Sequence, residues 1–535
     1  MRKKIFISSL LLFAFLFISS LKYDLFEISK QLEIYNTVFK NINMNYVEKT
    51  DPAKLTKAGV SKILSTLDPY TTYSSEEDIE KAKINSAGGI SLLGASFAFI
   101  KEELTVTKVY KKSAAATSGL MPGDVIKSVN DINIERSTSD FNVLLLGNKE
   151  IKILLTRNGE EKMVLLKKSG NRTGAVPVYK ILNNKTGYIA LSKFTKGCSK
   201  EVESALKFLM IDEIETLVLD LRNNPGGLLG EAVEIVNLFV KKDELVVYTK
   251  SNVNKYNQEF MTRKQPLNTD IPIVVLINEQ SASASEIVAG ALQDIDRAVI
   301  VGKQSFGKGL VQNVVPIPYG GQMKITISKY YTPSGRCIQA LDYTSPLESG
   351  VVKEFKNKTF FKTKNGRVVY NNAGIVPDVL VGTKSKFDII KDIKKNNLLF
   401  RYAFKYCESN GISSKSDIKI TKESFKDFKS FYFSEDPKFK TKTEKAINIL
   451  KKTSSDEDLL LLHNEIKKLE NIVRKEKEKE FEKLESEIIE LIENKIFEIL
   501  FYNDDHYFHT LENDITIKKA ISILSSDEYY YSILK

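Results

Sequence analysis

The run Ile271-Pro272-Ile273-Val274-Val275-Leu276-Ile277 carries no polar side chain. Short, β-branched and uncharged, it reads as a buried strand. It is not alone. Gly187-Tyr188-Ile189-Ala190-Leu191 and Thr216-Leu217-Val218-Leu219-Asp220-Leu221 have the same character, with helical patterns between them at Leu229 to Val240 and Ser285 to Gln293. Apolar strands alternating with helices over residues 175–382 form an α/β signature.

That core accounts for less than half of the 535 residues, so several domains are expected. At the start, Met1-Arg2-Lys3-Lys4 precedes the charge-free run Ile5 to Leu21, the pattern of a secretory signal or a short membrane anchor. No clean small-residue cleavage site precedes Lys22-Tyr23-Asp24, so an anchored form is the expectation. Either way, with no second apolar span to return it, the bulk of the chain is expected outside the cytoplasm. Residues 24–84 read as amphipathic helices, with Phe26, Ile28, Leu32, Ile34, Val38 and Ile42 at helical spacing and a stop at Asp68-Pro69. From 85 onward strands and turns take over: Leu104 to Val109, a short helix near Ser113 to Gly119, an apolar helix Phe141 to Leu146, and a strand Ile151 to Arg157. A strand edge beside a helix can bind an extended peptide by strand addition. Beyond 383 the chain becomes dense in Lys and Glu. A long helix is expected from Asp456 to Tyr502, with the stripe Leu459, Leu462, Ile466, Leu469 and Ile472. Such a stripe packs on its own domain or on a partner, a second copy included.

The net charge of +11 is spread along the chain, Lys often beside Glu, without a compact basic patch; no nucleic-acid partner is expected. Three widely spaced cysteines, Cys198, Cys337 and Cys407, argue against a disulfide scaffold or a zinc site. His506 and His509 lack a further ligand cluster, so no metal or other cofactor is expected.

Two strand-to-loop junctions stand out for chemistry. In Asp220-Leu221-Arg222-Asn223-Asn224-Pro225-Gly226-Gly227, consecutive glycines after a strand let backbone N–H groups approach a ligand closely. In Ser281-Ala282-Ser283-Ala284-Ser285-Glu286-Ile287, serines lie at a strand–turn–helix corner above the positive end of a helix dipole. Ser281 or Ser285 can serve as the helix cap, which leaves Ser283 as the candidate nucleophile. A serine needs a base. No histidine precedes His463, so the remaining choice is a lysine made neutral by burial. Lys308, between Gly307 and Gly309 and near Phe306, Leu310 and Val311, lies in a setting that can desolvate its amine and is a candidate for that base.

These motifs, with Leu67-Asp68-Pro69-Tyr70, Phe306-Gly307-Lys308-Gly309-Leu310-Val311-Gln312, Tyr330-Tyr331-Thr332-Pro333-Ser334-Gly335-Arg336 and Gly374-Ile375-Val376-Pro377-Asp378, resemble the carboxy-terminal processing (tail-specific) proteases over residues 35–382. The resemblance implies a serine endopeptidase with Ser283 as nucleophile, Lys308 as general base, and Gln312 orienting the lysine. Its oxyanion hole would map onto the backbone of Gly226, Gly227 and Ala284. A PDZ-like domain over 85–168 would hold a free substrate C-terminus on the loop Leu92-Leu93-Gly94-Ala95, with Arg157 a candidate for coupling it to the active site. The expected fold is therefore multidomain α+β. An anchor or signal (1–23) and a helical N-terminal region (24–84) lead to an inserted PDZ-like β-rich domain (85–168), an α/β protease core (169–382), and a charged helical C-terminal extension (383–535). The expected setting is the cell envelope or periplasm, with the protein held on the inner membrane by its N-terminal segment. Expected partners are exported proteins and peptides with free C-termini, and in some form a homo-oligomer. A non-catalytic peptide-binding scaffold and a different acyl hydrolase on a related core are the competing functions.

Overall fold

The computed structural model describes residues 25–79, 93–110, 113–135, 150–167, 174–183, 185–343, 353–355, 359–382, 389–395, 397–412, 414, 417–435, 440–457, 459–501, 511 and 514–535. The anchor segment, Leu92, the helix expected at Phe141 to Leu146, His506 and His509 lie outside them. The chain divides into two units, Met1–Ser75 with Asn313–Thr326, and Glu76–Gln312 with Ile327–Lys535.

In the first unit a helix over 25–45 is followed by the helix Pro52–Ser65. Asp51 caps the second helix by accepting the Ala53 and Lys54 amides, and Pro52 occupies the first turn, where its missing N–H costs nothing. The helix ends before Pro69; the turn that follows is made by Asp68, whose Oδ1 accepts the Tyr70 and Thr71 amides at 2.8 Å each. The strand Thr72–Ser74 then pairs antiparallel with Gln322–Lys324. The stripe Phe26, Ile28, Leu32, Ile34, Val38 and Ile42 repeats at helical spacing on this helix and is exposed.

The second unit is built on a six-stranded sheet in the order Val379–Leu380, Val299–Gly302, Ile273–Ile277, Thr216–Asp220, Thr186–Ala190, Val178–Leu182. All neighbours are parallel except the last pair. Side chains alternate across it, as the two-residue strand repeat requires. Leu217, Leu219, Ile273, Val275 and Ile277 face a core shared with the helices Cys198–Ile211, Leu229–Asn237 and Ala284–Asp294. Val218, Val274, Leu276, Val299 and Val301 face the opposite way. That second face is covered from far along the chain, by Ile517, Ala520, Ile523, Leu524, Tyr530 and Leu534 of the helices Ile515–Leu524 and Asp527–Leu534. The C-terminal region expected as a separate extension thus ends as a layer of the core. A mostly parallel sheet needs both faces covered, and these helices cover the second one here.

The β-rich domain orders its strands Ala95–Ile100, Glu103–Val109, Val125–Val129, Glu150–Arg157, Glu160–Lys167 around Leu104, Val106, Ile126, Ile151, Ile153 and Leu155. A fourth cluster packs the helices Leu398–Asn410, Lys422–Ser434 and Glu485–Leu500 around Phe428, Tyr432, Phe481 and Phe497. Ile100 of the β-rich domain packs against it, and Lys108 pairs with Glu498. The single helix expected from Asp456 to Tyr502 is interrupted: one helix ends at Asp456, and Leu460–Lys483 and Glu485–Leu500 follow, with a break at Leu484. Within the expected stripe Ile466 is buried, whereas Leu459, Leu462, Leu469 and Ile472 are exposed. All three cysteines are free thiols.

Candidate active site

Three loops leave the carboxyl ends of three adjacent parallel strands: after Asp220, after Ile277 and after Gly302. Open parallel sheets place their ligand sites at such ends.

The middle loop carries the three serines, and the structure separates their roles. Ser281 is fully buried; its Oγ donates to the Leu221 carbonyl at 2.8 Å and accepts the Asn278 amide at 2.9 Å. Ser285 is equally buried, its Oγ donating to the Asn224 carbonyl at 2.9 Å. Neither caps the helix, contrary to expectation: both hydroxyls tie the loop to the neighbouring Leu221–Asn224 segment. Ser283 itself holds the N-cap position of the helix Ala284–Asp294 and is only partly buried. Its backbone has φ 56° and ψ −113°. For a residue with a Cβ that conformation costs on the order of 1–3 kcal/mol and persists only when its surroundings hold it, as at a nucleophile's sharp strand-to-helix turn.

Glu286 does the holding. This carboxylate, completely buried, accepts four bonds. Oε2 takes the Ser283 amide at 2.8 Å and the Lys308 amide at 2.9 Å; Oε1 takes the Ser305 hydroxyl at 2.6 Å and the Gly307 amide at 2.7 Å. Burial raises its pKa, and the Ser305, Lys308, Ser283 and Gly307 donors pull against that rise. The motif Ser281 to Ile287 alone gives Glu286 no role. The signal was there in the Ser-x-x-Glu spacing of a capping box.

Lys308 is half-buried, in a loop pinned on all sides. Its carbonyl accepts the Tyr330 hydroxyl, the Gly309 amide donates to Gln339 Oε1 at 2.9 Å, and the Ala340 amide donates to the Gly307 carbonyl at 2.9 Å. Of the apolar neighbours expected to desolvate it, Leu310 is buried but Phe306 is half-exposed. Gln312 follows on the strand Leu310–Pro316, also half-buried.

The first loop approaches the nucleophile's turn so closely that side chains are excluded. Gly226 has φ 93°, and a Cβ there would lie 2.5 Å from the Ala282 carbonyl oxygen and 2.8 Å from Ser283 Cβ; at Gly227, with φ 150°, it would lie 2.2 Å from the Phe194 oxygen. The Ala282 amide donates to the Asn224 carbonyl at 3.0 Å, stitching the two loops together. The Gly226 amide already donates to Asn224 Oδ1 at 2.9 Å, so Gly226 acts here through its shape. Ala284 is the first residue of its helix, where an amide has no intrahelical acceptor.

In the β-rich domain, Leu93 and Ala95 are buried and the Gly94 carbonyl accepts from the Tyr110 amide at 2.8 Å and Ser113 Oγ at 3.0 Å. The strand Ala95–Ile100 pairs on one side and ends the sheet on the other. Arg157 forks onto Asp124 at 2.6 and 2.7 Å and onto the Gly119 carbonyl at 2.7 Å, all within the domain.

Residues 185–348 match the model of peptidase family S41, 91–167 that of the PDZ domain, and 389–524 that of the C-terminal helical domain of probable PDZ-proteases. A carboxy-terminal-processing protease of Bartonella bacilliformis is 33% identical over 325 residues, covering 59% of this chain and 75% of that protein. A probable CtpA-like serine protease of Staphylococcus aureus is 35% identical over 307 residues, covering 56% of this chain and 61% of that protein. Among solved structures, a photosystem II D1 C-terminal processing protease aligns over 64% of this chain and 86% of its own at 23% identity, with a TM-score of 0.38. The chain belongs to the carboxy-terminal-processing proteases of peptidase family S41, and is a serine-type peptidase carrying a PDZ domain.

Proposed function

We propose that this peptidase cleaves exported proteins near their C-termini with a Ser283–Lys308 pair. The observation that carries this reading is the shared acceptor Glu286 Oε2, which fixes the backbones of both residues to one oxygen. Ser283 Oγ attacks the scissile carbonyl carbon while its proton passes to neutral Lys308 Nζ. The same proton then goes to the leaving amine as the C–N bond breaks. Water, deprotonated by Lys308, hydrolyses the acyl-serine and restores both groups. The amides of Gly227 and Ala284 would face the developing oxyanion, with Gly226 keeping the passage clear, and Gln312 would orient the lysine. The PDZ domain would take a free C-terminus as an added strand along Ala95–Ile100, its carboxylate on the backbone of the Leu92–Ala95 loop. The N-terminal apolar segment would hold the protein on the outer side of the inner membrane.

The test is mass spectrometry of a loosely folded protein with an apolar C-terminus, incubated with wild type, Ser283→Ala or Lys308→Ala. Cleavage by wild type alone supports the pair. Equal products from wild type and both variants exclude it. Tail binding without cleavage by any of the three would favour a scaffold.

A further inference from the structure

Arg222 begins the loop that ends in Gly226 and Gly227, and its side chain is clamped from two directions. Asp220, the last residue of the strand Thr216–Asp220, accepts from Arg222 Nε at 3.0 Å and Nη2 at 2.6 Å, and is itself fixed by the Tyr188 hydroxyl at 2.8 Å. The remaining arm, Nη1, donates at 2.6 Å to Asp514 Oδ2, a residue 292 positions further along the chain. Asp514 is also the N-cap of the helix Ile515–Leu524, its Oδ1 accepting the Thr516 and Ile517 amides at 2.7 and 3.0 Å. One oxygen of this carboxylate therefore anchors the C-terminal layer of the core, and the other holds the active-site loop. Burial disfavours the Arg222 charge, but Asp220 and Asp514 more than offset it.

From Arg222 the connection to the reacting groups is short. The Asn223 amide donates to Asn278 Oδ1 and Asn278 Nδ2 donates back to Asn223 Oδ1, each at 2.9 Å. The Asn224 carbonyl accepts from Ser285 Oγ and the Ala282 amide, and Asn224 Oδ1 accepts the Gly226 amide. Every residue from Arg222 to Gly226 with a polar side chain is thus bonded to a fixed point, and for Arg222 one of those points belongs to the C-terminal helices.

We propose that Asp514 is a positioning residue for the peptidase. Through Arg222 it sets the loop whose Gly227 amide faces the oxyanion, so the active site is completed only when the C-terminal end of the chain has docked on the core sheet. The proposal rests on the reading of Ser283 as nucleophile and of the Gly227 loop as its oxyanion site. It gives the C-terminal helical region a role in the chemistry.

Asp514→Asn in the full chain separates the two functions of the carboxylate. Asn is as good an N-cap as Asp, so the helix keeps its Thr516 and Ile517 bonds while Arg222 loses its ion pair. With a fluorogenic peptide, kcat is expected to fall by about ten- to a hundredfold, the scale of a small misplacement of catalytic groups. KM should stay near wild type when measured well below the melting midpoint, which itself should drop modestly for the lost ion pair, and Asp514→Glu should recover part of kcat. Arg222→Lys, which leaves the cap intact, should lower kcat similarly, and the double variant should be little worse than either single one. An unchanged kcat in Asp514→Asn would overturn the proposal, as would a loss that simply tracks a lower melting midpoint, or strict additivity with Arg222→Lys. Ser283→Ala run alongside keeps the two failures apart: if that variant still turns over, the nucleophile assignment falls, whatever Asp514→Asn does.

Discussion

Ser283 and Lys308 donate their backbone amides to the same oxygen atom, Glu286 Oε2, at 2.8 and 2.9 Å. They stand on different loops, 25 residues apart in sequence, and one buried side chain brings those loops into register. Glu286→Gln would turn an amide NH2 toward donors on one side of this junction. Each buried donor left without an acceptor costs about 1–3 kcal/mol. The variant is expected to lose roughly a hundredfold in kcat through misplacement and to unfold at lower urea, read by steady-state kinetics and by circular dichroism.

Gly227→Ala is expected to lower kcat sharply, because its Cβ would come within 2.2 Å of the Phe194 oxygen at φ 150°. The loop must move, and losing one oxyanion donor costs about a hundred- to a thousandfold in kcat. A kinetic assay of the purified variant, with folding checked by circular dichroism, measures this.

Stability should fall as pH rises toward neutrality, with Glu490 as one source. Burial raises its carboxyl from the ordinary 4.5 to about 7; Asp514 and Glu487 add to the rise, while Arg222 and Lys394 oppose it. A carboxyl whose folded pKa is raised binds a proton in the native state that the unfolded chain releases. Its contribution is intact below pH 4.5 and is lost as pH climbs through about 7. Glu490→Gln should match wild type near about pH 4 and exceed it near about pH 8 in thermal melts.

The last helix should be needed for the core. The Tyr530 hydroxyl accepts the Ile273 amide at 2.9 Å and donates to the Ile273 carbonyl at 3.1 Å, both deep in the sheet. Tyr530→Phe is expected to lower the unfolding free energy by about 1–3 kcal/mol, measured by urea denaturation.

Cys198 and Cys407 should resist thiol reagents in the native protein. Burial, with Glu231 adding to it, pushes the Cys198 thiol up to about 12, and burial pushes Cys407 up to about 11. Thiolate is the reactive form, so labelling of either residue should appear only on denaturation, followed by peptide mass mapping.

Much of this was legible in the sequence because the signals are local. Apolar runs such as Ile273–Ile277 mark buried strands, and serines between a strand and a helix mark a sharp corner. What sequence could not yield depends on long-range closure. Asp514 looks like an ordinary helix cap, and only the fold carries its second oxygen to Arg222. Glu286 reads as a capping-box acid, and its reach to Ser305, Gly307 and Lys308 depends on the neighbouring strand. Period alone also does not say which apolar stripe is buried. Phe26 to Ile42 repeat at helical spacing yet lie exposed, and the long C-terminal helix breaks at Leu484, where no Gly or Pro gives warning.

The central claim is that Ser283 forms the covalent intermediate. The direct measurement is intact and tandem mass spectrometry of the full chain quenched during turnover of an activated ester substrate. One acyl group is expected on the peptide containing Ser283 and none in Ser283→Ala. An adduct on another residue, or turnover by Ser283→Ala at the wild-type rate, would contradict it.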